Sequence, residues 1–197
     1  MSAIKDMTQL GRLVARSHGW DAARAFKAQA LSEPERATLS QGALDLLRLL
    51  PAVPMSSALL SAALAVSLER RIDAPVHVVT GALSVNSSEI FGADASVEDM
   101  ASPAWNGHAW VMIGSHVVDI ALFRIAYSAQ GPAPLAKHVD LVFGPGKGLY
   151  VDEWKRTRRV GLDYAPARVL SAEEVTALMG HAFHLIKQAR ADTPSGE

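Results

Sequence analysis

A histidine and an aspartate, His108 and Asp119, lie in the segment Trp105-Asn-Gly-His-Ala-Trp-Val-Met-Ile-Gly-Ser-His-Val-Val-Asp-Ile120. An imidazole with one ring nitrogen held by a carboxylate keeps the other to take a proton, the pairing on which general-base chemistry rests. Residues 108–113 and 116–120 are apolar runs rich in Val, Ile and Trp, and the dipeptide Gly114-Ser115 joins them. A two-residue linker with glycine first predicts a type II′ turn, whose twist suits antiparallel strands. Counting outward, Ile113 faces His116, Met112 faces Val117, Trp110 faces Asp119 and His108 faces Ala121. Side chains alternate across a strand, so His108, Trp110 and Met112 share a face with Val117, Asp119 and Ala121. Asp119 is then a diagonal neighbour of His108, roughly 7–8 Å away between backbones and within side-chain reach. The same residues admit a plain structural reading, a core imidazole beside tryptophan and an aspartate capping a strand end.

The rest of the chain must position this hairpin. Residues 5–30 have helical spacing, with Leu10, Leu13, Val14, Ala22 and Phe26 on one face and Gly19 as an interruption. Ser32-Glu-Pro-Glu35 supplies a cap, early acids and an early proline for a second helix that stops at Pro51. Pro54 precedes a third helix, Ser56 to Arg71, built of Ala, Leu and Val with small Ser61 and Ser67. A helix apolar on most sides is buried in the centre of a fold. Residues 74–83 read as a strand with Gly81 as a bulge or bend, and residues 84–104 as a long loop of the kind that borders a binding site. Residues 139–143 and 148–151 read as further short strands. Ser171-Ala-Glu-Glu174 is a capping box that opens a final helix with the stripe Val175, Leu178, Met179, Ala182, Phe183 and Ile186.

Other signals exclude more than they propose. The 197 residues carry a net charge of −1 and no cysteine, which removes disulfides, thiolate metal sites and a cysteine nucleophile. The basic cluster Lys155-Arg-Thr-Arg-Arg159 is short, without an aromatic, and reads as a solvated loop or strand end; no nucleic-acid partner is expected. Gly144-Pro-Gly-Lys-Gly148 lacks the Gly-Lys-Ser/Thr of a phosphate loop and reads as a tight connector. His181 and His184 are three apart without the further ligand a zinc site needs, so no metal and no cofactor is expected. The N-terminus lacks the apolar core of a signal peptide and the most apolar stretch is too short to span a bilayer, so a cytoplasmic protein without a membrane partner is expected.

A buried small-residue helix, a strand ending in glycine, a long loop, His108-Ala-Trp-Val111, a turn and Val117-Val-Asp-Ile120 follow in that order over roughly residues 54–122. This order resembles the transglutaminase-like superfamily, which is similar to papain-like peptidases and, more distantly, to arylamine N-acetyltransferases. The resemblance implies an α+β fold with a nucleophilic cysteine at the start of the central helix and a histidine and an aspartate on adjacent antiparallel strands. Here a serine stands in the cysteine's place: counting back from Arg71 gives Ser56, and aligning the small residues gives Ser57. A thiol becomes a stable thiolate beside an imidazolium; a hydroxyl does not, and needs concerted proton removal by a neutral histidine. Serine at a helix start is also a common backbone cap.

The expected protein is therefore α+β: a helical N-terminal region (1–53), a core with a C-terminal helix (54–191) packed on a small antiparallel sheet, and a disordered tail (192–197). The resemblance implies acyl transfer or amide hydrolysis, with Ser56 or Ser57 as nucleophile, His108 as base and Asp119 orienting it. Asn106, Trp105 and Trp110 beside the histidine are the candidate binding residues, and the partner is a peptide, a protein or a small-molecule acyl substrate. The alternative is an inactive member of the fold that binds a peptide or protein in the cleft.

Overall fold

The computed structural model describes residues 3–50, 53–92 and 95–191. Pro51 and the tail from 192 to 197 lie outside the described residues. α1 (Ala3–Ala28) is broken at Gly19, whose φ of 86° and ψ of 169° belong to a region that only glycine occupies without strain. α2 (Glu33–Leu49) begins at a capping box between Ser32 and Glu35, with Pro34 in its first turn. α3 (Ser57–Glu69) takes Ser56 as its N-cap and is buried at every residue from Ser57 to Ala65. It is the buried helix that its composition predicts, beginning one residue later.

One antiparallel sheet lies against it. β1 (Val76–Val85) is the hub, pairing with β2 (Ser88–Phe91), β3 (His108–Ile113) and β6 (Leu162–Val169). β6 overlaps both other ladders along β1, so β2 and β3 must share β1's opposite edge, end to end. Phe91 pairs with Leu83 and His108 with Gly81, which places them consecutively along that edge. β3 then pairs with β4 (His116–Asp119), and β4 with β5 (Tyr150–Glu153). The β3–β4 register is Ile113 to His116, Met112 to Val117 and Val111 to Val118, as counted from the turn, but the ladder ends there: Trp110 does not pair with Asp119, and Ala121, expected opposite His108, begins a helix. Gly114 has the positive φ, 53°, that the first position of a II′ turn requires, and a Cβ there would meet the Gln29 carbonyl at 2.5 Å. Gly81 sits at a register shift of β1 against β6, where a Cβ would lie 2.1 Å from the Ala165 carbonyl oxygen.

Several expectations need correction. Residues 84–104 are not a long loop. β1 continues to Val85, turns at Asn86 and Ser87, both with positive φ, and returns as β2; α4 (Val97–Ala101) follows with its own capping box at Ser96 and Asp99. Residues 139–143 are not a strand. They belong largely to α6 (Ala133–Val142), where Leu135, His138 and Val139 are buried at helical spacing and Pro134 opens the first turn. α5 (Ala121–Ala126) directly follows β4 and was not anticipated, nor was β6. The basic cluster lies in α7 (Trp154–Thr157) and the 3₁₀ turn after it, not in a loop or strand end. In α8 (Ala172–Ala191) Leu178 and Ala182 are buried, but Phe183 is 68% exposed, because the stripe is wider than the surface it covers.

The sheet separates two apolar layers. Alternate residues Ala109, Val111 and Ile113 of β3 pack with α3, α2 and α8. Trp110 and Met112 pack on the other side with Leu10, Val14 and Phe26 of α1. The small residues of α3 set how closely the first layer approaches. Ala62 is fully buried, and Ala62→Leu should cost about 1–3 kcal/mol by overpacking, read as a lowered unfolding midpoint in denaturant.

His77 on β1 supplies a pH dependence. Both its ring nitrogens are buried without a hydrogen-bond partner, and the His18 ring of α1 lies 4.7 Å away. Burial first, and His18 second, push its pKa down to about 4 from an ordinary 6.5. The unfolded chain therefore binds a proton that the folded chain refuses between those values, so this stabilisation is complete above pH 6.5 and is lost as pH falls toward 4. On the order of 3 kcal/mol should disappear across that window. His77→Phe should flatten it in a pH series of unfolding free energies.

Candidate functional site

Asp119 ends β4 and is fully buried. Four donors satisfy its carboxylate. Oδ1 accepts the backbone N–H groups of Ala121 and Leu122, each at 2.9 Å, so the side chain caps the first turn of α5. Oδ2 accepts from His108 Nε2 at 2.6 Å and from the Tyr164 hydroxyl at 2.9 Å. Burial, and next the Asp119 charge, raise the Tyr164 pKa well above its ordinary value, which keeps the phenol protonated as a donor. The network assigns the proton of a neutral His108 to Nε2 and leaves Nδ1 as the lone-pair nitrogen. Nδ1 is buried and has no hydrogen-bond partner. The ring is stacked against Phe91, with centroids 5.3 Å apart, and lies beside Trp110 and Tyr164.

The two serines play different parts at the start of α3. Ser56 Oγ accepts from the Leu59 amide and donates to the Met100 carbonyl at 2.5 Å, which is the work of a helix cap. Ser57 reaches the sheet. The β3–β4 ladder stops at Val111 and Val118, so the edge of β3 at Ala109 lacks a strand partner there. Two hydroxyls one helical turn apart take its place: Ser57 Oγ accepts from the Ala109 amide at 3.0 Å, and Ser61 Oγ donates to the Ala109 carbonyl at 2.9 Å. Ser57 is thereby fixed beside the residue that follows His108. Accepting occupies one lone pair of the hydroxyl and not its proton. Neither serine is hydrogen-bonded to His108, contrary to the contact expected of an assembled triad.

A cavity of about 620 Å³ opens at this end of α3, with Ser56, Ser57, Phe91, Trp105 and Gly107 in its wall. Trp105 folds over Gly107 so closely that a Cβ there would fall 2.0 Å from its ring, which explains the glycine between Trp105 and His108. Of the other candidate binding residues, Asn106 is exposed and its carbonyl accepts from the Gly92 amide at 3.0 Å, closing the neck of the loop between β2 and β3. Trp110 is 1% exposed in the second apolar layer and does not border the cavity. His181 and His184 are exposed on α8, and among the described residues no group of three or more His, Asp or Glu side chains is placed to hold a metal. No described helix is long and apolar enough to cross a membrane.

Tyr164, Phe91 and Arg124 join the site without having been singled out in the sequence. Tyr164 lies far along the chain in a strand containing Pro166, and nothing local links it to the hairpin. Compared with protein-family models, with curated proteins and with solved structures, the chain matches none significantly.

Removing the Tyr164 hydroxyl takes one of four donors from a buried carboxylate. Tyr164→Phe should destabilise by about 1–3 kcal/mol, and Asp119→Ala by more, because it strands His108, Tyr164 and two amides together. Denaturant unfolding of both variants checks the order; a Tyr164→Phe protein as stable as the parent would show that this bond contributes nothing.

Proposed function

We propose that the protein carries out acyl transfer or amide hydrolysis in the manner of a transglutaminase-like fold, with Ser57 as nucleophile, His108 as base and Asp119 orienting it. One observation carries the reading: His108 is fixed on Nε2 by a buried carboxylate, with Nδ1 unpartnered, and Ser57 is anchored to the amide of the next residue, Ala109. His108 lies on the Trp110 face of β3 and does not line the cavity that holds Ser57, so the reaction requires the ring and the hydroxyl to come together in the complex. The central buried helix, with histidine and aspartate on adjacent antiparallel strands near its start, supports the same family resemblance. Ser57 Oγ attacks the acyl carbonyl as its proton passes to His108 Nδ1. The bond to the leaving group breaks as that group takes the proton, leaving an ester on Ser57. Water or an amine, deprotonated by the same nitrogen, then releases the acyl group and returns the proton to Ser57. The Ser57 and Ala58 amides open α3 without an intrahelical acceptor and serve as donors to a developing oxyanion, the Leu59 amide being taken by Ser56.

A binding module is the second reading, favoured by the closed state of the site: His108 is fully buried behind Phe91 and no serine is bonded to it. Unliganded sites often hold catalytic contacts longer than they are in a complex, so the closed state alone does not remove the first reading. Incubation with a fluorophosphonate, read by intact mass, separates the two. The enzyme reading predicts a single adduct on Ser57 that is lost in Ser57→Ala and in His108→Ala while both stay folded. No adduct on the parent would leave the binding module.

A further inference from the structure

A second cavity, of about 550 Å³, opens at the other end of α3, roughly 20 Å from Ser57 by the rise of that 13-residue helix. The end of a ladder makes it. β6 pairs with β1 as far as Val79 and Val169, and the Leu170 amide adds one last bond to the Val78 carbonyl at 2.9 Å. Before Val78, β1 has no β6 neighbour, and the cavity lies along that stretch, between Val76, His77, the end of α3 and the start of α8. Its volume falls within the range of small-molecule sites, on the order of 300–1,000 Å³.

His77 is the unsatisfied group in this wall. It is 7% exposed, and neither ring nitrogen has a hydrogen-bond partner. The His18 ring beside it is committed elsewhere, its Nε2 donating to the Leu170 carbonyl at 2.8 Å. Burial keeps His77 neutral, and a neutral imidazole offers one N–H and one lone pair. A hydroxyl or an amide, which donates and accepts at once, meets both. The rim has a different need. Glu69 and Asp73 are exposed there, and neither carboxylate is paired with a described side chain. Glu69 ends α3, where the helix dipole adds negative charge, and no Lys or Arg stands among the described lining residues. Arg71 is held by Asp45 at 2.9 Å, away from this cavity. These acceptors do not converge as a metal requires: among the described residues no group of three or more His, Asp or Glu side chains is placed to hold one. A cation spread over several bonds can reach them.

We propose that this cavity binds a small organic amine that also carries a neutral hydroxyl or amide. The ammonium pairs with Glu69 and Asp73 at the rim, and the neutral polar end meets His77 within. The carbon chain between them lies on Ala65, Ile72 and Val175. The site is separate from the cavity at Ser57 and does not depend on the acyl-transfer reading.

Titration at pH 8 with 6-amino-1-hexanol, 1,6-hexanediol and hexylamine tests it, followed by the NMR signals of the histidine ring protons and of each ligand. The amino alcohol should bind about fivefold more tightly than the diol, the worth of ion pairs at an exposed rim. It should also bind more tightly than hexylamine, which has no group for His77. Its binding should shift the His77 ring signals, identified by their loss in His77→Phe. Glu69→Gln combined with Asp73→Asn, both at exposed positions, should bring the amino alcohol down to the diol, and His77→Phe should bring it down to hexylamine. Equal binding of amino alcohol and diol by the parent, no binding of the amino alcohol, or binding that leaves the His77 signals unmoved would overturn the proposal. These comparisons on the parent decide even if a variant fails to fold.

Discussion

A carboxylate withdrawn entirely from water is tolerated only when its lone pairs are met, and the Asp119 side chain meets four donors from three parts of the chain. Two are the amides that open α5, one is the His108 ring at the start of β3, and one is the Tyr164 hydroxyl of β6. The charge cannot be buried until the hairpin, the helix after it and a strand from far along the chain are all in place. Asp119 therefore couples the end of the sheet into one unit. The same bonds choose the His108 tautomer, so the requirement that stabilises the fold also aims the imidazole.

Close backbone approach is the second constraint. Gly81 lets β6 bulge against β1, Gly107 lets Trp105 lie flat beside the histidine, and Gly114 lets the hairpin turn under the Gln29 carbonyl. Each is a place where a Cβ would strike a neighbour. Because β2 and β3 meet end to end along β1, the loop between them leaves the sheet between Phe91 and His108. The Phe91 ring is consequently set over the imidazole, and the cavity forms where that loop and the start of α3 meet.

The hairpin was legible because its evidence is local: a Gly-Ser turn, apolar alternation and a register that follows by counting. The buried helix was legible from composition, and Gly81 from a glycine within a strand. What failed was non-local or ambiguous over short spans. Residues 139–143 are β-branched and aromatic enough to suggest a strand, yet Leu135 and Val139 at helical spacing and Pro134 ahead of them decide otherwise. β6 carries Pro166, which argues against a central strand; among the described strands β6 pairs with β1 alone, and an edge strand tolerates a missing N–H. Tyr164 was lost with that strand, and with it the fourth partner of Asp119. The choice between Ser56 and Ser57 also lay beyond counting, since both stand at a helix start and only the open edge of β3 at Ala109 distinguishes them.

The proposed chemistry requires the buried Asp119–His108 pair to act on the hydroxyl of Ser57. Placing a thiol there reports on it directly, because the chain has no other cysteine. The alkylation rate of Ser57→Cys by iodoacetamide, followed against pH by intact mass, gives the thiol pKa. An imidazole acting on Ser57 predicts a reactive thiolate that persists well below the ordinary cysteine value of about 8.5, and loses that reactivity when His108 is also replaced by Ala. A thiol that titrates near 8.5, with or without His108, would contradict the account.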